Sequence, residues 1–175
     1  MLRAGQKNSA SNALTSYIYI STRMGLEQDI RQTGFRNLQQ KGMINLIYTY
    51  HWLMERIKHF LDEEDLTPQQ YNILRILKGS YPTPLSTLQI RERMLDKMSD
   101  TSRIVDRLVL KELVDKKTSA QDKRLVDVLI SEKGRTLLEK LDGRNEQLDA
   151  ILGELSEEEL EIINGLLDKL RRPGG

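Results

Sequence analysis

Cysteine is absent from the 175 residues of this chain. Its absence excludes disulfide bonds, thiolate metal sites and any switch that works by oxidation of a cysteine thiol. A chain without cysteine is compatible with a reducing cytoplasm, which is where we expect this protein.

Long apolar runs are missing as well. The longest early run, residues 14–20, is far shorter than the ~20 apolar residues that a membrane-spanning helix needs, so we expect no membrane association. Residues 1–23 lack the apolar core and the small-residue cleavage site of a signal peptide. We interpret them as an extension upstream of Met24, native or introduced, with a short pairing strand as the alternative.

Signatures of catalysis are not found in the sequence. It has no nucleophile elbow, no phosphate-binding glycine loop and no paired carboxylates in an apolar setting. His51, Glu55 and His59 share one helical face, but they are too spread along a straight helix to close on a single ion. We therefore expect no enzyme activity, no cofactor and no metal.

Charge of one sign is not in excess, since 27 basic residues stand against 26 acidic ones. Its distribution is uneven. Residues 86–124 contain ten basic and seven acidic side chains, whereas residues 141–170 contain two basic and nine acidic ones. The basic middle is expected to face a polyanion and the acidic end to face away from it.

The segment that begins at Ser99 predicts a helix with paired arginines. Ser99 suits the capping position, which would leave first-turn N–H groups available to a phosphate. Arg103 and Arg107 are four residues apart and share one face, while Ile104 and Leu108 point inward. This pattern is typical of a helix that enters the major groove of DNA.

A basic hairpin follows this helix. Residues 113–118 and 125–130 are two short runs rich in β-branched residues, separated by a polar loop, and this pattern predicts a β-hairpin. A hairpin directly behind a recognition helix is the wing of a winged helix-turn-helix. Its cationic side chains, which we expect to neutralise phosphates, are Lys116, Lys117 and Lys123.

The order of Leu108, Leu113-Val114, Asp122-Lys123-Arg124 and the segment Val126 to Gly134 closely resembles the MarR family of bacterial transcription factors. The resemblance covers residues 38–170 in the order of elements and residues 86–135 in specific motifs. It implies a mainly α fold with a small β-hairpin wing: a winged helix-turn-helix whose N- and C-terminal helices form a dimerisation region. The sequence departs from the family at Glu112, where members commonly have the glycine that ends the recognition helix in a left-handed conformation.

The resemblance also implies a set of DNA contacts. Arg124 would enter the minor groove, and Asp122 would hold it there by an ion pair. The complete predicted set is Ser99, Asp100, Thr101, Ser102, Arg103, Arg107, Lys116, Lys117, Asp122, Lys123 and Arg124.

Helical periodicity organises the remaining chain. We expect residues 24–64 to form an N-terminal dimerisation helix region, residues 65–130 the DNA-binding region and residues 131–175 the C-terminal dimerisation helices. Helix caps are expected at Thr67, Ser86, Ser131 and Ser156, with capping boxes at Thr67 and Ser156. The helix capped by Ser131 is expected to run through Leu152. The last helix has a broad apolar stripe, which is either core or an interface with a second copy. Pairing is favoured because one recognition helix covers only a half-site, and the predicted interface is Leu160, Ile163, Leu166, Leu167 and Leu170.

These features together predict a sequence-specific DNA-binding regulator. By resemblance it is a ligand-responsive repressor that binds a palindromic operator as a homodimer. The resemblance also implies a small-molecule effector near Tyr50, His51, Met54 and Tyr71, although the residues by themselves favour a core role for these side chains. The alternative is a winged-helix adaptor that binds another protein and no DNA.

Overall fold

The computed structural model describes residues 25–118 and 126–172, and the predicted upstream extension lies outside them. The chain divides after Trp52 into two compact units. The first contains helix α1 (Leu26–Asp29) and the beginning of helix α2 (Leu38–Asp62). Lys41 on α2 forms an ion pair of 2.6 Å with Glu27 on α1.

The helices of the second unit begin at capping residues that the sequence indicates. In α3 (Pro68–Ser80), the Thr67 hydroxyl accepts the Gln70 N–H and the Gln70 side chain accepts the Thr67 N–H. The same capping box, built from Ser86 and Gln89, opens helix α4 (Thr87–Arg93). Helix α5 (Thr101–Leu110) follows α4, and the two make the helix-turn-helix.

The predicted hairpin is present, and it belongs to a three-stranded antiparallel sheet. Its strands are β2 (Val114–Thr118) and β3 (Val126–Ile130). A two-residue strand, β1 (Leu85–Ser86), pairs with the other edge of β3, so the strand order is β1-β3-β2. The sequence did not predict β1, because a strand of only two residues that ends at the helix cap Ser86 carries no periodic signal.

The core of the second unit lies between α3, α4, α5, the sheet and α6 (Glu132–Asp142). Each of these elements contributes buried apolar side chains to it. Among those that are completely buried are Leu74, Ile90, Leu108, Val128 and Leu138. At its edge Asp142 forms ion pairs with Arg75 and with Lys78, the latter at 2.8 Å. The hydrogen bonds from these two cations lower the pKa of the Asp142 carboxyl.

The prediction of one helix from Ser131 through Leu152 is wrong. Ser131 caps α6 as expected, but α6 ends at Asp142, and α7 (Asn145–Asp149) and a short 3₁₀ helix (Ala150–Leu152) follow. The break falls at Gly143, which has low helix propensity, and at Arg144, which leaves the helical conformation. The Arg144 guanidinium pairs with Glu63 at 2.8 Å. The last helix, α8 (Glu157–Arg171), begins at the predicted Ser156 capping box.

The start of α6 closely approaches the turn that follows α5. A Cβ added to Gly134 would overlap the carbonyl oxygen of Leu113 and lie 2.9 Å from Cγ1 of Ile130. Only glycine fits this position without displacing backbone.

We therefore expect Gly134→Ala to lower the free energy of unfolding by about 1–3 kcal/mol, because the added methyl overpacks a backbone contact. The matched control is Gly79→Ala, since nothing lies within 4 Å of a Cβ at Gly79. The control should be neutral or slightly stabilising. Urea unfolding of the three proteins at equal concentration checks this, and equal effects of the two substitutions would contradict the close contact.

Candidate nucleic-acid interface

The recognition helix α5 is capped by Asp100. Its Oδ1 accepts the Arg103 N–H at 3.2 Å, and its Oδ2 lies 3.1 Å from Nε of Arg103. The prediction that Ser99 is the cap is wrong. The Ser99 hydroxyl instead donates to Oδ2 of Asp96 at 2.6 Å, and this hydrogen bond lowers the pKa of the Asp96 carboxyl. Serine and aspartate are equally good caps, so the sequence could not decide between neighbours.

The outward face of α5 consists of five exposed side chains. They are Ser102, Arg103, Asp106, Arg107 and Leu110. The opposite face, with Val105 and Leu108, is buried. The predicted arginine pair is therefore on one solvent-facing surface, together with Ser102.

Thr101 was predicted to contact DNA, and its side chain is not on this face. It is only 5% exposed, and its hydroxyl lies 3.4 Å from Sδ of Met94. The prediction took the first helical turn as a block, whereas the helical phase turns Thr101 toward the core. We therefore remove its side chain from the candidate contacts.

An ion pair links the recognition helix to the hairpin. Nζ of Lys116 on β2 lies 2.7 Å from Oδ1 of Asp106 on α5. Lys116 is paired in register with Val128, and Lys117 with Asp127. Because successive strand residues point to opposite faces, the two lysines leave β2 in opposite directions. Lys116 therefore lies next to the outward face of α5, whereas the side chain of Lys117 leaves the opposite face of β2.

The turn after α5 uses a left-handed residue. Glu112 has φ of 60°, its N–H donates to the Val109 carbonyl at 2.9 Å, and the Leu113 N–H donates to the Leu108 carbonyl at 3.0 Å. Helices that end with this pair of hydrogen bonds usually have glycine at the left-handed position.

Residues at the start of α6 hold this turn. The Ser131 hydroxyl donates to the Glu112 carbonyl at 2.8 Å. Nζ of Lys133 lies 2.8 Å from Oε2 of Glu112, and its hydrogen bond lowers the pKa of that carboxyl. The direction in which β2 leaves α5 is therefore fixed without glycine.

The remaining predicted site residues fall in three places. Asp122, Lys123 and Arg124 lie outside the described residues. Within the first unit the ring of Tyr50 is exposed and packs edge-on against His51, with 5.3 Å between centroids. Within the second unit Met54 is half-buried, and the Tyr71 hydroxyl accepts a hydrogen bond from Nε of Arg75 at 2.9 Å.

The apolar stripe of α8 is largely uncovered in the single chain. None of its residues is buried. Ile163, Leu166 and Leu170 are exposed, while Leu160 and Leu167 are half-buried.

Neither a metal site nor a membrane-spanning helix is present in the described ranges. Residues 25–118 and 126–172 contain no group of three metal-ligating side chains. In the same ranges, none of the helices combines the length and the apolar character needed to cross a bilayer.

Comparisons with known proteins agree with this geometry. Residues 66–126 match the family model described as MarR family. The HTH-type transcriptional regulator MhqR of Bacillus subtilis is 28% identical over 131 residues, which are 74% of this chain and 89% of that protein. A MarR transcription factor from Planctomyces limnophilus has a TM-score of 0.59 at 29% identity over 77% of this chain and 98% of its own.

A more distant structure has a similar fold. A mutant MarR from E. coli complexed with operator DNA has a TM-score of 0.67 at 19% identity, over 84% of this chain and 99% of its own. These matches confirm the predicted mainly helical fold with a winged helix.

The left-handed conformation of Glu112 yields a prediction about stability. A residue with a Cβ is disfavoured in this conformation by roughly 1–2 kcal/mol, and glycine is not. We expect Glu112→Gly to be about 1 kcal/mol more stable than Glu112→Ala, because both variants lose the Lys133 ion pair and only the glycine relieves the backbone. Urea unfolding measures the difference. Equal stabilities of the two variants would contradict the left-handed turn.

Proposed function

Because the chain carries a MarR family domain at residues 66–126, we propose that it is a transcriptional regulator that binds double-stranded DNA with sequence specificity. The observation that supports this most strongly is the exposure of Arg103 and Arg107 on one face of α5. Two exposed arginines on the second helix of a helix-turn-helix can donate hydrogen bonds to guanine edges or to phosphates.

The electrostatics of the interface suit specific recognition. Asp100 and Asp106 would repel a polyanion, but each is paired, with Arg103 at 3.1 Å and with Lys116 at 2.7 Å. Exposed pairs of this kind are worth about 0–1 kcal/mol, so phosphates and bases can replace them at little cost. The proposed contacts are Ser99, Asp100, Ser102, Arg103, Arg107, Lys116, Lys117 and, by family resemblance, Asp122, Lys123 and Arg124.

We propose that the DNA-binding form is a homodimer. A single helix-turn-helix covers one half-site, and two copies related by a two-fold axis reach successive major grooves about 34 Å apart. The uncovered stripe of α8 supports pairing, because an amphipathic helix with no buried residue leaves its apolar face in water. The proposed interface residues are Leu160, Ile163, Leu166, Leu167 and Leu170.

Regulation is proposed to act through occupancy of the operator. A repressor that covers a promoter is released when a ligand binds its other conformation more tightly. The proposed effector contacts remain Tyr50, His51, Met54 and Tyr71, which offer aromatic rings, a thioether and an imidazole. We propose a cytoplasmic location, because a bacterial regulator of this kind acts on the chromosome.

The proposal predicts a strong dependence on salt. The probe is the tightest duplex that the chain selects from a random-sequence pool, and fluorescence anisotropy reports the affinity. Raising the salt concentration from about 50 to about 200 mM should weaken binding at least about tenfold, because phosphate contacts release counterions. Salt-independent binding, or no selection of a duplex, would contradict the proposal and favour a protein-binding adaptor.

Two substitutions should separate specificity from general affinity. Arg103→Ala should reduce the preference for the selected duplex over random DNA by ~1–3 kcal/mol, whereas Lys117→Ala should weaken both alike and reduce the salt slope by about 1. Lys58→Ala, which removes an exposed cation from α2, is the control and should change neither. The contact face is misassigned if Arg103→Ala and Lys58→Ala behave alike.

Pairing through α8 is tested by Leu166→Glu. Placing a carboxylate in an apolar interface should weaken self-association more than tenfold, because the charge must be desolvated. Leu95→Glu is the control, since Leu95 is 91% exposed in the turn before α5. Sedimentation equilibrium measures both. A wild-type chain that stays monomeric at every concentration would rule out the dimer.

A further inference from the structure

One apolar side chain lies on the outward face of α5, at the last residue of the helix. Leu110 is 84% exposed. Successive helical residues are about 100° apart, so the outward face spans about 140° from Ser102 to Arg107, and Leu110 lies close to its midline. Arg103 is about 20° away from it around the axis and about 10.5 Å along it.

Folding of the chain does not account for this leucine. Val105 and Leu108 are completely buried, and Val109 packs against the same core, whereas Leu110 belongs to neither group. A polar residue at this position would have the same helical propensity or nearly so, and it would expose no apolar surface. The exposed side chain is therefore available to a partner that approaches the outward face.

We propose that Leu110 contacts the 5-methyl group of a thymine in the operator and so determines specificity for that base. This inference rests on the proposed function, since it requires α5 to enter the major groove. The thymine methyl is the apolar group that base edges present in that groove, and aliphatic side chains contact it there.

The charges around Leu110 favour DNA as its occupant. Arg103 and Arg107 lie on the same face, so a polyanion is attracted to the surface that contains the leucine. Asp106 is one helical turn before Leu110 and would oppose this approach, but Lys116 pairs with it at 2.7 Å. An apolar side chain that follows two arginines on the same face matches a thymine close to phosphates and purine edges.

The test removes the methyl group from the DNA and the side chain from the protein. Each thymine of the selected duplex is replaced singly by deoxyuridine, which differs from it only by the methyl, and affinities are measured for the wild type and for Leu110→Ala. At one thymine in each half-site, the wild type should lose about threefold to tenfold in affinity. Leu110→Ala should bind the thymine duplex and the corresponding deoxyuridine duplex equally.

Leu95→Ala is the matched control, because it also shortens an exposed leucine of the helix-turn-helix. It should keep the full deoxyuridine penalty. Circular dichroism should show that both variants fold as the wild type does, since neither side chain is buried.

The outcomes distinguish this inference from the function on which it rests. One outcome is that the wild type binds the duplex with the expected salt dependence while Leu110→Ala keeps every deoxyuridine penalty. In that case the proposed thymine contact is wrong, and the proposed DNA-binding function is unaffected. If Leu110→Ala instead weakens self-association, the leucine lies between copies and the inference is overturned. A wild type that selects no duplex overturns both.

Discussion

The carbonyl groups that follow the recognition helix are held by the first turn of α6, and the geometry of the interface depends on this junction. Ser131 uses its hydroxyl to bind the Glu112 carbonyl at 2.8 Å and its N–H to bind the Leu113 carbonyl at 3.1 Å. Gly134 permits the close approach, since a Cβ would overlap the Leu113 oxygen. Because β2 leaves from this point and β3 returns to it, the junction fixes the hairpin relative to α5.

The same junction explains why the run Ser131 to Gly134 is informative in a sequence. The serine is at once a helix cap and a clamp, since its oxygen also accepts the Gly134 N–H at 3.0 Å. Lys133 adds an ion pair to the left-handed Glu112 at 2.8 Å. Glu112 therefore occupies the position after the recognition helix that usually holds glycine, and Ser131 and Lys133 stabilise its strained backbone. The run Ser131 to Gly134 indicates a wing because its residues together hold the turn from which the hairpin begins.

Local signals allowed much of the fold to be predicted from the sequence. The caps at Thr67, Ser86, Ser131 and Ser156 are all confirmed, because a capping side chain bonds to backbone within three residues. The hairpin strands are also confirmed to within one residue. The failures involve choices that local chemistry leaves open, such as Asp100 rather than Ser99 as the cap of α5.

Features that depend on distant partners were missed. Strand β1 exists because Leu85 meets Val128 from a remote part of the chain, and the break at Gly143 coincides with the ion pair of Arg144 with Glu63. In the candidate site, the sequence placed both arginines correctly on an outward face. It missed the burial of Thr101, the pairing of Lys116 with Asp106 and the position of Leu110. Counting seven residues on from Arg103 would have found the leucine.

The central claim is that two copies of this surface bind one duplex, each through α5 and its hairpin. The most direct measurement is the symmetry of the sequence enriched when the chain selects duplexes from a random pool. The account predicts an inverted repeat whose half-site centres are about 10–10.5 base pairs apart, because successive major grooves repeat at that interval. Enrichment of a single asymmetric half-site, or of no sequence at all, would contradict it.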